Sequence, residues 1–292
     1  MAKFLITGAK GQVGYCLTQQ LQGKHEILAV DRDELDITDQ SAVKKTIENF
    51  RPDIIINAAA HTAVDKAETE VELSEAINVK GPQYLAEAAK NVGAAILHIS
   101  TDYVFDGQQK GKYKETDATD PQGVYGKTKL AGEQAVVKAN DKFIVLRTAW
   151  VFGEHGNNFV KTMLRLAKTR DTLGVVADQI GGPTYAGDIA TALIQIAERI
   201  ISGEDIQYGI YHFSGAPYVS WYDFAKAIFD EAVSQKQLEK KPWVNAISTA
   251  DYPTPAKRPA NSCLDLTKIQ QTFGITPSDW KKALKNIKAY TE

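Results

Sequence analysis

A tyrosine and a lysine four residues apart give the first chemical signal in the sequence. Tyr125 and Lys129 fall in a stretch predicted to be helical, and this spacing places both side chains on one helix face. A free phenol has a pKa near ~10, and a neighbouring ammonium favours the phenolate and lowers that pKa. Such a pair can exchange a proton with a carbonyl oxygen while hydride moves to the carbonyl carbon. The hydroxyl of Thr101 is expected to polarise the same oxygen.

An open α/β sheet is expected to position these groups. Short apolar runs predict strands at residues 4–6, 26–30, 53–57, 95–99 and 143–146. Continuous apolar runs are typical of parallel strands that helices cover on both faces. The intervening stretches predict helices at about 12–22, 40–50, 81–92 and 121–139. Thr101 follows the fourth run, at the carboxyl edge where such sheets bind ligands. Asp120 is expected to cap the helix that carries Tyr125, with Pro121 in its first turn.

Three glycines follow the first strand directly and open a helix. Gly8, Gly11 and Gly14 have the spacing G-x-x-G-x-x-G, with Gln12 and Val13 between the last two. The missing side chains permit a tight turn and let backbone N–H groups approach a pyrophosphate at the positive end of the helix dipole. This context predicts a dinucleotide site.

The rest of the predicted dinucleotide site follows the second and third strands. Asp31 can accept hydrogen bonds from both ribose hydroxyls, which favours NAD, whereas Arg32 can hold a 2′-phosphate, which favours NADP. Asp36 and Ile37 come next and either flank the adenine or form an ordinary turn and helix cap. Small residues at the end of the third strand let the chain pass close under a flat cofactor. These are Ala58, Ala59 and Ala60.

Beyond residue 150 the pattern loosens. Helices are predicted near 159–169, 188–201, 221–234 and 279–290, separated by shorter strands and loops that contain proline. We therefore predict an α/β fold: a Rossmann-type doubly wound parallel sheet over residues 1–150, followed by a smaller C-terminal α/β substrate-binding domain over 151–292. Segments of the second part can also pack within the first part.

The composition argues against several partners. A formal net charge of −2 gives no basic field for nucleic acid, and no apolar run approaches the ~20 residues that span a bilayer. The amino terminus lacks a signal-peptide pattern, and the two cysteines form neither a disulfide framework nor a zinc motif. We expect a cytoplasmic protein that binds no nucleic acid, membrane or metal, and that is a monomer or a weak homodimer.

The motifs together resemble the extended short-chain dehydrogenase/reductases, and within them the reductases of dTDP-linked 4-keto-6-deoxysugars. The resemblance covers nearly the whole chain, in segments 8–14, 57–68, 100–107, 124–133, 147–151, 156–159 and 258–262. It implies reduction of the 4-keto group of a dTDP-6-deoxy-L-hexulose by NADPH, with NADH possible, and Thr101, Tyr125 and Lys129 as the catalytic set. It also implies that the substrate is bound by Thr62, Val64, Thr101, Asp102, Tyr103, Trp150, Asn158 and Arg258.

Two residues of this chain depart from the family pattern. His61 stands where tyrosine is commoner. Cys16 stands where some members have a glutamate that helps to hold a metal between subunits, which argues against that mode of dimer.

An epimerase or dehydratase would use the same fold with the same Tyr and Lys, but dehydratases carry an Asp-Glu pair where this chain has Asp102 followed by Tyr103. A regulatory NADP-binding subunit without catalysis is the alternative from another class.

Overall fold

The computed structural model describes residues 1–291 as strands and helices that alternate through the first half of the chain. The strands are β1 (Lys3–Thr7), β2 (Glu26–Val30), β3 (Ile54–Asn57), β4 (Ala95–Thr101), β5 (Phe143–Thr148), β6 (Val151–Phe152), β7 (Thr172–Val176), β8 (Ile180–Gly181), β9 (Thr184–Tyr185), β10 (Gly209–His212), β11 (Val219–Ser220), β12 (Trp243–Ile247) and β13 (Asn261–Ser262). The helices are α1 (Gln12–Leu21), α2 (Gln40–Phe50), α3 (Val64–Ala67), α4 (Val71–Glu75), α5 (Gly81–Val92), α6 (Val124–Ala139), α7 (Phe159–Ala167), α8 (Ala186–Ile201), α9 (Trp221–Ser234), α10 (Thr267–Phe273) and α11 (Trp280–Leu284).

Six strands form one sheet in the order β10-β5-β4-β3-β1-β2, and every neighbouring pair is parallel. The apolar runs of β3 and β4 are buried because helices cover both faces of the sheet. Helices α1 and α8 pack together, as do α2 and α5, so that one apolar cluster lies on each face. The predicted Rossmann-type doubly wound α/β fold is confirmed.

Residues beyond 150 contribute to this sheet as well as forming a core of their own. Strand β10 pairs with β5, and α8 packs against α1. A separate apolar cluster joins α7, α9 and α11, flanked by the two-stranded sheet of β7 and β12. These contacts do not test the predicted domain boundary at residue 150, which stays a prediction.

Most predicted helices have the expected bounds, but the helix that carries Tyr125 begins later than predicted. Helix α6 starts at Val124 with Gly123 as its cap, not at Pro121 with Asp120 as cap. The backbone N–H of Val124 donates to the Glu68 carboxylate at 2.9 Å, while the N–H of Asp120 donates to the Val104 carbonyl at 3.0 Å. Asp120 is therefore held in the preceding loop. The last predicted helix is also shorter, because α11 ends at Leu284 and a 3₁₀ turn covers Ile287–Tyr290.

No helix within residues 1–291 has the length and apolar character that crossing a membrane requires.

Candidate active site

The glycine turn between β1 and α1 leaves no room for side chains. Gly8 has a left-handed backbone (φ 68°), and a Cβ there would lie 2.6 Å from the Ala59 nitrogen. A Cβ on Gly14 would lie 2.1 Å from the Gly8 carbonyl oxygen, so the turn and the helix approach backbone to backbone. Gly11 caps α1 without a side-chain hydrogen bond, which leaves the N–H groups of the first turn directed at the cleft. This cradle fits a pyrophosphate.

A pocket of about 440 Å³ adjoins the glycine turn at the ends of β2 and β3. The Asp31 carboxylate accepts the backbone N–H of Lys10 at 2.9 Å and that of Arg32 at 2.8 Å, so it also fixes the turn. Among residues 1–291, the ion pairs of this region join Lys10 to acidic residues and leave the Arg32 guanidinium without one. The pocket is lined by nine of the predicted cofactor residues: Gly8, Gly11, Asp31, Arg32, Asp36, Ile37, Ala58, Ala59 and Ala60.

Asp36 lines this pocket but turns one carboxylate oxygen inward. That oxygen accepts the Thr38 N–H at 2.9 Å and the Thr38 hydroxyl at 2.7 Å. These hydrogen bonds hold the pKa of Asp36 below its ordinary value. The segment thus forms the predicted turn, and Asp36 also lines the pocket beside the glycine turn.

His61 lies outside both the pocket and the main cleft. Its ring nitrogens contact the Ser74 hydroxyl at 2.9 Å and the Glu70 carboxylate at 3.0 Å. Its backbone N–H donates to the side-chain oxygen of Asn78 at 2.8 Å. The His61 side chain therefore does not line the pocket beside the glycine turn, because it packs towards α4 instead.

The main cleft has a volume of about 950 Å³ and opens at the carboxyl edge of the sheet. It shares Gly11, Ala58 and Ala60 with the pocket beside the glycine turn, so the two spaces adjoin along these residues. The structure brings together at this cleft the remaining predicted residues except Gly14, which lies behind the turn. They are Gln12, Val13, Thr62, Val64, Thr101, Asp102, Tyr103, Tyr125, Lys129, Trp150, Asn158 and Arg258.

Tyr125 and Thr101 meet at the floor of the cleft. Burial raises the pKa of Tyr125 to about 12, the hydrogen bond with the Thr101 hydroxyl opposes the rise, and the charge of Asp102 adds to it. The expectation that Lys129 lowers this pKa is not what the structure shows, because desolvation dominates. The phenol is protonated at neutral pH and can serve as a proton donor.

Lys129 is 2% exposed and its ammonium donates to the Ile99 carbonyl at 2.7 Å. Burial lowers its pKa to about 8, and the nearby Glu133 carboxylate acts in the opposite direction. The lysine therefore keeps its charge at neutral pH while it lies one helical turn from Tyr125.

A buried ion pair lies beneath Lys129. Arg147 donates twice to Glu133, at 2.9 and 2.7 Å, and the Ser100 hydroxyl donates to the same carboxylate at 2.5 Å. Both charged side chains are 3% exposed or less. Neither residue of this pair is among the predicted site residues, although Glu133 is four residues from Lys129 on the same helix.

Asp102 and Arg258 bring opposite charges to the substrate side of the cleft. Burial raises the pKa of Asp102 to about 6, against hydrogen bonds from the Ser262 and Thr101 hydroxyls. Arg258 pairs with the Asp65 carboxylate at 2.8 Å and lies close enough to Tyr103 to act on its phenol. Because Arg258 already has a carboxylate partner, any phosphate would share it with Asp65.

Asn158 lines the cleft but its amide is engaged in the fold. Its oxygen accepts the Lys161 N–H and caps α7, while its NH₂ group donates to the Gly153 carbonyl at 2.7 Å and to Gln12 at 3.2 Å. The predicted role of Asn158 in binding the substrate would require one of these hydrogen bonds to be exchanged.

The wall opposite the sheet is aromatic. Trp150 has a left-handed backbone (φ 51°), and its indole stacks on that of Trp221 with ring centroids 3.5 Å apart and planes 10° apart. Phe159 packs against the other indole at 4.6 Å. Trp221 was not among the predicted site residues, because a tryptophan at the start of a helix far along the chain carries no local signal of a site.

Within residues 1–291 no group of three or more His, Cys, Asp or Glu side chains is arranged to hold a metal. Cys16 is half-buried on α1, where burial and the charge of Glu154 raise the pKa of its thiol to about 11.

A doubly wound sheet, a glycine turn that admits a dinucleotide, and a Thr–Tyr–Lys set on the adjoining strand and helix define a Rossmann-type short-chain dehydrogenase/reductase. The family model described as RmlD substrate binding domain matches residues 2–291. The chain belongs to this family, that of the dTDP-4-dehydrorhamnose reductases, which confirms the resemblance.

Similar proteins support this assignment. A dTDP-4-dehydrorhamnose reductase of Aggregatibacter actinomycetemcomitans is 66% identical over 100% of both chains. A crystal structure of a dTDP-4-dehydrorhamnose reductase from Clostridium acetobutylicum is 45% identical, covers 97% of both chains and has a TM-score of 0.90. That of the Bacillus anthracis enzyme, in complex with NADP, is 38% identical, covers 98% of both chains and also has a TM-score of 0.90.

Proposed function

We propose that this protein is a dTDP-4-dehydrorhamnose reductase that converts dTDP-6-deoxy-L-lyxo-4-hexulose to dTDP-L-rhamnose with NADPH. The observation that carries the proposal is the adjacency of two spaces: the glycine turn lines one, Thr101, Tyr125 and Lys129 line the other, and Gly11 lines both. The 66% identical relative of that name, matched over its full length, supports the substrate.

In this proposal the bound dinucleotide supplies hydride to the carbonyl carbon at C4 of the sugar. Tyr125 donates its phenolic proton to the carbonyl oxygen, which becomes the new hydroxyl. The Thr101 hydroxyl donates to Asp102 at 3.1 Å, and it would exchange that hydrogen bond for one to the carbonyl oxygen. The Lys129 ammonium, fixed by the Ile99 carbonyl, stabilises the negative charge left on the phenol.

The substrate side of the cleft suits a nucleotide-linked deoxysugar. The indole of Trp150 lines the cleft and offers its apolar ring edge to the sugar, together with Val64 and Thr62. The Arg258 guanidinium suits diphosphate oxygens, and the exposed Arg32 suits the 2′-phosphate of NADPH. The Bacillus anthracis relative, whose structure holds NADP, supports this choice of cofactor. NADH stays possible because Asp31 can still face a ribose hydroxyl.

The test follows the loss of absorbance at ~340 nm with NADPH and dTDP-6-deoxy-L-lyxo-4-hexulose, for wild type and Tyr125→Phe. Removal of a proton donor used only in the transition state should lower kcat by roughly 10²–10⁴-fold. Tyr84→Phe is the matched control, because Tyr84 lies on α5 in a separate surface groove. Absence of NADPH oxidation by wild type, with cofactor bound, would reject the proposed function.

A further inference from the structure

Trp221 lies in the aromatic wall of the cleft and takes no part in the proposed reaction. It is the first residue of α9, it lines the cleft, and its ring lies parallel to that of Trp150 at 3.5 Å between centroids. Phe159 supports it from α7 at 4.6 Å. The two indoles therefore form a double layer, with α7 and α9 behind it.

The backbone at Trp150 requires support from its surroundings. A left-handed φ of 51° is unfavourable for a bulky residue and persists only where neighbours hold it. The Trp150 carbonyl accepts the Thr184 N–H at 3.0 Å, and a Cβ on Gly181 would lie 2.6 Å from the indole. Segment β8 therefore confines one face of the ring and the Trp221 indole covers the other, so the edge of the Trp150 ring is what remains for the cleft.

Trp150 also lies close in the chain to the reacting groups. It follows Thr148 by two residues, and Thr148 pairs with Thr101 across β4 and β5. A displacement of the Trp150 ring would therefore shift a sugar that contacts its cleft edge relative to Thr101 and Tyr125. Misplacement of a reacting group by about 1 Å can cost ~10²-fold in rate.

We propose that Trp221 is a positioning residue: its indole backs that of Trp150 and so holds the sugar in register with Thr101 and Tyr125. This inference rests on the proposed function for the identity of the sugar. In this inference Trp221 acts through Trp150, although it lines the same cleft.

The first experiment compares Trp221→Leu, Trp221→Phe and Trp243→Leu with wild type in the NADPH assay. Trp221→Leu, which removes the ring plane, should lower kcat/KM for the sugar nucleotide by roughly 10–100-fold while the Kd of NADPH is unchanged. Trp221→Phe should recover most of the loss. Trp243 is 72% exposed on β12, so Trp243→Leu should match wild type. Wild-type kinetics in a folded Trp221→Leu protein would overturn the inference.

A double-mutant cycle tests whether Trp221 acts through Trp150. The losses in Trp221→Leu and Trp150→Leu should not multiply in the double variant, because either change alone removes the stack. The affinity for dTDP, which lacks the sugar, should stay the same in Trp221→Leu. Losses that multiply, or an equal loss of dTDP affinity, would make Trp221 an independent nucleotide contact and refute the positioning role.

A crystal structure of Trp221→Leu separates this inference from the proposed function. The Trp150 ring should be displaced or occupy more than one rotamer, whatever the substrate is. An unmoved Trp150 ring would overturn the inference even if wild type reduces the dTDP-sugar. Inactive wild type with a displaced ring in the variant would reject the proposed function alone.

Discussion

On the sheet side of the cleft, the reactive groups are anchored by buried polar partners, whereas the C-terminal side is built from stacked aromatic rings. Lys129, Glu133 and Arg147 lie at most 2% exposed on strand ends and helix α6. Trp150 and Trp221 are held mainly by each other and by segments such as β8 and β9, which are only two residues long. On the sheet side, hydrogen bonds and ion pairs therefore fix the positions of the reactive side chains. On the other side, the shape of the cleft wall depends on how the aromatic rings pack.

The largest effect expected from this contrast is on stability. Glu133→Gln removes the charge that compensates the buried Arg147, so the free energy of unfolding should fall by about 3–5 kcal/mol, as for other broken buried pairs. Asp171→Asn breaks the pair with Lys240 on the C-terminal side, whose side chains are 81% and 77% exposed, and should leave stability unchanged. Urea denaturation measures both. Equal losses in the two variants would remove the contrast.

A pair of glycine substitutions sharpens the comparison. A Cβ on Gly14 would lie 2.1 Å from the Gly8 carbonyl oxygen. The clash is with backbone atoms, so the turn or the helix would have to shift to relieve it. Gly14→Ala should therefore weaken NADPH binding by roughly 10–100-fold, the equivalent of the ~1–3 kcal/mol that overpacking costs. The Kd of NADPH is read from fluorescence titration.

Gly181→Ala is the counterpart on the aromatic side. Its Cβ would meet the Trp150 ring at 2.6 Å, and a side chain can move where a backbone cannot. The substitution should raise KM for the sugar nucleotide and leave the Kd of NADPH unchanged. Weaker NADPH binding in Gly181→Ala would mean that the two sides are not independent.

The same contrast explains how far the sequence could predict the molecule. The strands, the glycine turn and the positions of Thr101, Tyr125 and Lys129 follow from patterns within a few residues, and register in a parallel sheet brings strand ends together. Trp221 and the Arg147–Glu133 pair depend on contacts between distant segments, which periodicity does not encode. The start of α6 was mispredicted for the same reason, since Glu68 binds the Val124 N–H from 56 residues away.

The smallest expected effect lies at the exposed rim of the sheet side. Arg32→Ala should lower kcat/KM with NADPH by roughly tenfold and leave kcat/KM with NADH unchanged. A charge-assisted hydrogen bond to the 2′-phosphate contributes about 1.5 kcal/mol, and salt screens it at an exposed site. Lys24→Ala, at the far end of α1, controls for the loss of a surface charge. Both cofactors are compared at two salt concentrations. Equal losses with NADPH and NADH would place Arg32 on a part of the cofactor that both share, and Asp31 would then be the residue that sets the preference.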